Sequence, residues 1–441
     1  MSQLDMRAGG VPDLELAGAK NRWTESTVRM GRRKRLPHKA VLAALHLQDP
    51  FPPQLSDDEW REALEFSDRS QLTLALRRAA RQAMPDWVRE RVDRNFADNA
   101  ERLETLLGLY RDLTTRFEDA GIEYAALKGL THCRDFGSVP ENRTQYDIDL
   151  FIPPGQMDGA RDQVCRLGFE SIESMESSPT DHIPALIRKT GWEWRGNFFD
   201  PEMPLAVELH FRFWNGEMER LPAPGTEAFW ERRVVRDVAG LRLTTLCLAD
   251  ALGFASLHVL KHILHGSGRP FHLYELACFL DSHAGDESFW RSWSGLHSPE
   301  LRRLEAVVFR MATEWFGCRN SATAEAEMDA LPAGTKAWFE EFATAPAGRA
   351  YRPRKDELWL HLSLVSSRRD AWSVARRRLF PGRLPGQVDG IYLPELGFWR
   401  RVLKQLRYVS YLATRLRLHV WALGPTVWSG VRWWRKRLAH Q

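Results

Sequence analysis

The chain has 441 residues, 44% of them hydrophobic, with 18 Trp, enough for two or three units with real cores, which excludes a disordered chain. Its formal charge of +4 hides an asymmetry: residues 396–441 hold ten Lys or Arg and no Asp or Glu, which leaves −6 for residues 1–395. The basic end therefore points to an anionic partner.

Five scattered cysteines, Cys133, Cys165, Cys247, Cys278 and Cys318, never form a CxxC pair. That argues against a disulfide framework or a zinc ribbon and fits a reducing compartment. No apolar leader opens the chain, and no charge-free run approaches the ~18 residues of a spanning helix, so a cytoplasmic protein is expected.

Residues 1 to about 38 are polar, end in Arg32-Arg33-Lys34-Arg35 and read as a loose arm. From Ser56 the pattern turns helical, with Asp57, Asp58 and Glu59 in a first turn, where the helix dipole favours acids. Between 86 and 119, Leu103, Leu106, Leu107, Tyr110, Leu113 and Phe117 recur at helical spacing. Gly121 is placed to end that helix.

The stretch Gly121–Ile152 carries the chemistry. Ile122–Leu127 is short, apolar and bounded by glycines, which suits a buried strand. Lys128-Gly129 then falls where the strand would turn into a helix over roughly 130–135. Free backbone N–H groups there attract phosphate, and an ordinary strand-to-helix turn is the alternative. In the following Asp-Ile-Asp, strand geometry puts Asp147 and Asp149 on one face and sends Ile148 and Leu150 into the core. Two carboxylates side by side repel unless a cation sits between them, and Mg²⁺ is the simplest such cation.

After Ile152 the chain reads as turn, helix and return strand, with Gly168 closing the helix. In the next strand, over 204–213, Val207, Leu209 and Phe211 alternate with Glu208, His210 and Arg212, so Glu208 can be a third carboxylate on a neighbouring strand. A solvent-facing edge strand would alternate in the same way.

Beyond 245 the pattern is helical. His258, His262 and His265 lie at i, i+4 and i+7, with His272 following. Imidazoles at that spacing can converge on a metal, but no HExxH glutamate accompanies them; Lys261 and His262 are expected to face a cleft while the others pack or are solvated. Residues 330–395 read as helices broken by Pro and Gly. The last stretch mixes its ten bases with Trp399, Tyr408, Tyr411, Trp421, Trp428, Trp433 and Trp434. That is the composition of an interfacial helix on an anionic membrane; a pair of helices packed on the body and a nucleic-acid surface are the alternatives.

The string Leu127-Lys128-Gly129, then Arg143 four residues before Asp147, then Asp147-Ile148-Asp149-Leu150-Phe151, then a helix ending in Leu-Gly-Phe, then Val207–Phe213, resembles a large, poorly characterised nucleotidyltransferase family. That family belongs to the DNA polymerase β-like superfamily, outside its template-directed branch. The superfamily usually has Gly-Ser at the first turn, whereas this chain has Lys128-Gly129, and Gly137-Ser138 reads as loop.

The resemblance implies an α+β protein: a small mixed β-sheet nucleotidyltransferase core flanked by N-terminal and C-terminal helical regions. It divides the chain into a flexible arm (1–55), an N-terminal helical region (56–120), the catalytic core (121–240), a helical region packed on the core (241–345) and a basic, Trp-rich helical region (346–441). Asp147, Asp149 and Glu208 would hold two Mg²⁺ ions, with Mn²⁺ as the alternative. Glu208 would also draw a proton from the acceptor. Lys128, Gly129 and Arg143 would bind the nucleotide, taken as ATP by default. The implied reaction moves NMP from an NTP to a hydroxyl of an unidentified acceptor, releasing pyrophosphate. A non-catalytic nucleotide-binding or membrane-associated scaffold, and kinase-like phosphoryl transfer at the same metal, are the other readings. The implied location is the cytoplasm or the inner face of its membrane.

Overall fold

The computed structural model describes residues 37–172, 181–348, 354–380, 392–393 and 397–440. Helices α1 (Pro37–Ala44), α2 (Asp57–Arg69), α3 (Thr73–Ala80) and α4 (Asp86–Asp119) open it. Ser56 and Glu59 cap α2 reciprocally: the Ser56 side chain accepts from the Glu59 amide and the Glu59 carboxylate from the Ser56 amide. Residues 37–55, expected in the arm, include α1 because Val41, Leu42 and Ala44 bury into the helical core. The run Arg32–Arg35 lies outside the described residues.

Helix α4 joins two cores. Val88 and Val92 pack among the helices, while Leu103, Leu106, Tyr110, Leu113 and Phe117 pack under the sheet. Gly121 takes φ +66 just past its end, and the Ile122 amide donates to the Phe117 carbonyl. This is the termination expected of a glycine at that position.

The sheet has seven strands: β1 (Ala125–Ala126), β2 (Asp147–Phe151), β3 (Glu170–Ser171), β4 (Leu186–Ile187), β5 (Ala206–His210), β6 (Val234–Val238) and β7 (Leu241–Thr245), in the order β3-β4-β5-β2-β1-β7-β6. β2 and β5 are parallel, as are β1 and β7, and the other pairings are antiparallel. The sheet is mixed, as expected, and β7 carries it past residue 240. A parallel pair needs a crossover, which α5 (Met157–Arg166) and the β3–β4 ribbon supply between β2 and β5.

Strand parity divides the two faces. Ile148, Leu150, Val207 and Leu209 are buried together under α4 and α5. Asp147 and Asp149, with Glu208 and His210, point the other way. Toward that face lie the helices that follow a four-residue α6 (Gly216–Glu219), chiefly α7 (Leu248–His265) and α8 (Pro270–His283). β5 lies between β4 and β2, so Glu208 is not on a solvent-facing edge.

The remaining helices are α9 (Glu287–Leu296), α10 (Pro299–Phe316), α11 (Ala322–Asp329), α12 (Ala333–Phe342), α13 (Glu357–Leu364), α14 (Arg368–Leu379) and α15 (Phe398–Ala439). Residues 381–391 and 394–396 are outside the described residues. α15 is one helix of 42 residues that runs through Pro425, not the pair of helices named as an alternative. Its inner face is small enough to lie flat on α12 and α13: a Cβ on Gly430 would come within 2.3 Å of the Trp359 ring.

Candidate active site

β2 and β5 pair with Asp149 opposite Glu208 and Phe151 opposite His210. Neighbouring parallel strands at this register put three acids and one imidazole on one patch of the sheet. Asp149, Glu208 and His210 are all buried, and Asp147 is only slightly open at its side chain, 14% exposed.

Two cations hold the patch together. Lys128 Nζ lies 3.0 Å from Asp149 Oδ2 and 3.5 Å from Asp147 Oδ2. Burial alone would push the Lys128 ammonium toward neutrality, but Asp147, Asp149 and Glu208 outweigh it and raise its pKa. His210 Nε2 is 3.1 Å from Asp149 Oδ1 and 3.8 Å from Glu208 Oε2. Burial pushes His210 down; its hydrogen bond to Asp149 and the nearby charges of Asp149 and Glu208 win and raise it to about 9. Burial pushes Glu208 up, and the charges of His182, His210 and Lys128 bring it to about 2.

The backbone around the acids is held from behind. Gln145 Nε2 donates to the Asp147 carbonyl at 2.6 Å. Arg102, fully buried on α4, donates to the carbonyl of Gln145 before β2 and to those of Asp200 and Met203 before β5. One guanidinium thus fixes the entries of β2 and β5 relative to each other.

Lys128 and Gly129 sit beside the acids, but no six-residue helix follows. The turn is a 3₁₀ helix, Gly129–His132, buried throughout. Gly129 takes φ +75, and a Cβ there would meet the Gln145 amide at 2.3 Å, so glycine lets the loop close over Gln145. Arg143 does not touch the acids: it forms a two-pronged pair with Glu275 of α8, at 2.8 and 3.2 Å. Burial pushes the Arg143 guanidinium down and Glu275 more than restores it. Gly137-Ser138 lies in a turn, as expected.

A small pocket of about 10 Å³, room for about one water, lies on the Glu208 side, lined by Asp181, His182, Glu208, His210, Phe213, Trp214, Phe254, Leu257, His258 and Lys261. Lys261 Nζ pairs with Asp181 at 2.6 Å. Lys261 faces the pocket as expected, but the histidine beside it there is His258; His262 lies one turn further along the same face of α7, its ring tilted against that of His258 at 4.4 Å.

Donor atoms of Asp149, Glu208 and His210 all lie within 4.8 Å of one another, and this is the one such group among the described residues. The α7 histidines form none. Two carboxylates with an imidazole fit a divalent cation, and the imidazole widens the choice beyond Mg²⁺. Sequence reasoning missed His210, although it shares the parity of Glu208 on one strand. It also missed Arg102, Gln145 and Glu275, for which no local signal exists.

The family described as uncharacterised nucleotidyltransferase matches residues 56–317, more than half of the chain, from α2 to the end of α10. The tail beyond 317 falls outside the match. No curated protein and no solved structure matches the chain. The acidic patch on the paired parallel strands lies inside the matched region, and this chain belongs to the uncharacterised nucleotidyltransferase family.

Proposed function

We propose that this protein transfers an NMP group from an NTP, ATP by default, to a hydroxyl of a second substrate. The observation that carries the reading is the register of β2 and β5, which sets Asp149 against Glu208 with Asp147 and Lys128 alongside. Asp149, Glu208 and His210 would hold a divalent ion, with Asp147 at its margin. We take the ion to be Mg²⁺, with Mn²⁺ the alternative that imidazole favours; a second ion between the aspartates would require Lys128 to withdraw. Bound there, the ion would polarise the α-phosphate and neutralise charge on the departing pyrophosphate.

The chain's own residues do the rest. Lys128, beside the Gly129 backbone, offers its ammonium to the triphosphate as it opens from the aspartates, while Arg143, neutralised by Glu275, would have to part from that carboxylate to reach the nucleotide. The acceptor would approach Glu208 from the side of the small pocket lined by His182 and Phe213, which must widen to admit it. Its hydroxyl oxygen forms a bond to the α-phosphorus, the bond from that phosphorus to the bridging oxygen breaks, and pyrophosphate leaves. Glu208 takes the acceptor proton. A carboxyl held near 2 is a weak base, which suits a loose transition state in which proton loss follows P–O bond formation. We place the protein in the cytoplasm, in keeping with five unpaired cysteines.

The test is incubation with NTP labelled at the α- or γ-phosphate, with Mg²⁺ or Mn²⁺, against a metabolite and peptide extract. Pyrophosphate release with α-label on an acceptor supports the proposal. Loss of the terminal phosphate alone would make the protein a kinase, and binding without turnover would make it a scaffold.

A further inference from the structure

Helix α15 turns its apolar side away from the body. Phe398, Val409, Val420 and Val431 recur every eleven residues, and Leu416, Val427 and Leu438 form a second row at the same interval; all seven are exposed. With 3.6 residues per turn, eleven residues make three turns plus ~20°, so both rows fall within an arc of about 60° along the whole helix. Trp434 falls inside that arc, Trp399, Trp428 and Trp421 lie about 40–80° past one edge of it, and each is more than half exposed. The opposite side holds the helix to the protein. Ala422, Thr426, Ser429 and Gly430 are buried there, Trp433 Nε1 donates to the Gly334 carbonyl, and Trp359 Nε1 donates to Ser429 Oγ.

A helix of 42 residues spans ~63 Å, and here its C-terminal part, from His419 to Trp433, is fixed to a folded body by one flank while an apolar stripe with bases beside it runs along the other side. We propose that α15 is an interfacial helix that lays this protein on an anionic lipid bilayer, its stripe in the acyl boundary and its arginines at the headgroups. Charge decides among the occupants. A second copy would set one acid-free, base-rich helix against another, even with Arg400, Arg432 and Lys436 answered by Glu193, Glu341 and Glu340 of the body, and the chain's own residues 1–36 carry eight Lys or Arg against four Asp or Glu, so neither complements the surface. A nucleic acid would answer the charge but gains nothing from burying Val, Leu and Phe. A bilayer answers both, with Lys and Arg reaching past the apolar stripe to phosphate and Trp at the boundary. The helix lies on the surface and does not cross it: among the described residues no helix is long and apolar enough to span. The proposal is independent of the reaction assigned to the acidic site.

The experiment is flotation of the full chain with phosphatidylcholine vesicles, with and without phosphatidylglycerol. The expected result is binding to the phosphatidylglycerol vesicles alone, falling by at least ~10-fold in a Val409→Glu, Leu416→Glu, Val420→Glu variant whose thermal melting is unchanged, and falling with added salt or with Arg407→Glu and Arg435→Glu. Equal binding to neutral vesicles, or binding that the triple variant retains, overturns the proposal. So does failure to float combined with retention of an oligonucleotide, or with self-association in sedimentation that the triple variant abolishes.

Discussion

Asp149 on β2 stands directly opposite Glu208 on β5, and His210 reaches across to Asp149 at 3.1 Å. The acids are brought together by backbone pairing, so neither can drift from the other without breaking the ladder. Asp149→Asn and Glu208→Gln are therefore each expected to lower label transfer from an α-labelled NTP by at least ~10²-fold. Asp149→Asn also removes the partner of two buried cations, Lys128 and His210, and should cost about 3 kcal/mol in urea unfolding. Full turnover in either variant would remove the acids from the chemistry.

Lys128 lies between Asp147 and Asp149 and answers their charge. In Lys128→Met, three carboxylates would share one imidazolium, and stability should fall by about 3 kcal/mol at neutral pH. Divalent ions should then recover more of the loss for the variant than they add to the parent protein. Thermal melting of both proteins in EDTA, Mg²⁺ and Mn²⁺ measures this. A variant as stable as its parent in EDTA would mean that the ammonium does not balance the acids.

Arg102 touches none of the acids, yet it donates to the carbonyls of Gln145, Asp200 and Met203, which precede the two strands that carry them. Arg102→Met leaves three buried acceptors without this donor. The expected cost is about 3 kcal/mol, together with a lower kcat at saturating NTP from strands that no longer enter in register. Urea unfolding and initial rates test the two halves separately; lost stability with an intact kcat would confine Arg102 to folding.

What was legible in the sequence follows from what is local. Alternation alone placed Asp147 and Asp149 on one face and Glu208 on another strand's polar face, and Ser56, Gly121 and Gly168 marked the helix ends they occupy. His210 was legible by the same parity and was passed over because the strand was read only for carboxylates. The pairing of Asp149 with Glu208 was not legible, since it depends on a crossover of more than fifty residues. Nor were the contacts of Arg102, which span 43, 98 and 101 positions, or the tie of Arg143 to Glu275 across 132. In α15 the apolar pattern could be counted, but its direction could not. Apolar side chains normally face the body, and here Ala422, Ser429 and Gly430 take that side because Trp359 already fills the space.

Away from the active site, His297 is buried between Asp250 of α7 and Glu305 of α10, with Nε2 3.2 Å from the first and Nδ1 2.9 Å from the second. Burial pushes the imidazole down, but Glu305 and Asp250 outweigh it and raise His297 from 6.5 to about 9. Because folding raises this pKa, the stability it contributes is fully present below pH 6.5 and is lost as pH climbs through about 9. For a shift of this size the loss is about 3 kcal/mol at most. Urea unfolding between pH 6 and pH 9.5 should follow that decline in the parent protein, and a His297→Gln variant should be weaker at pH 6 and flatter above it. Arg232 still answers Asp250 and Trp293 still donates to Glu305 in the variant, so the fold should persist for the comparison. Equal slopes in the two proteins would mean that His297 carries no proton between its carboxylates.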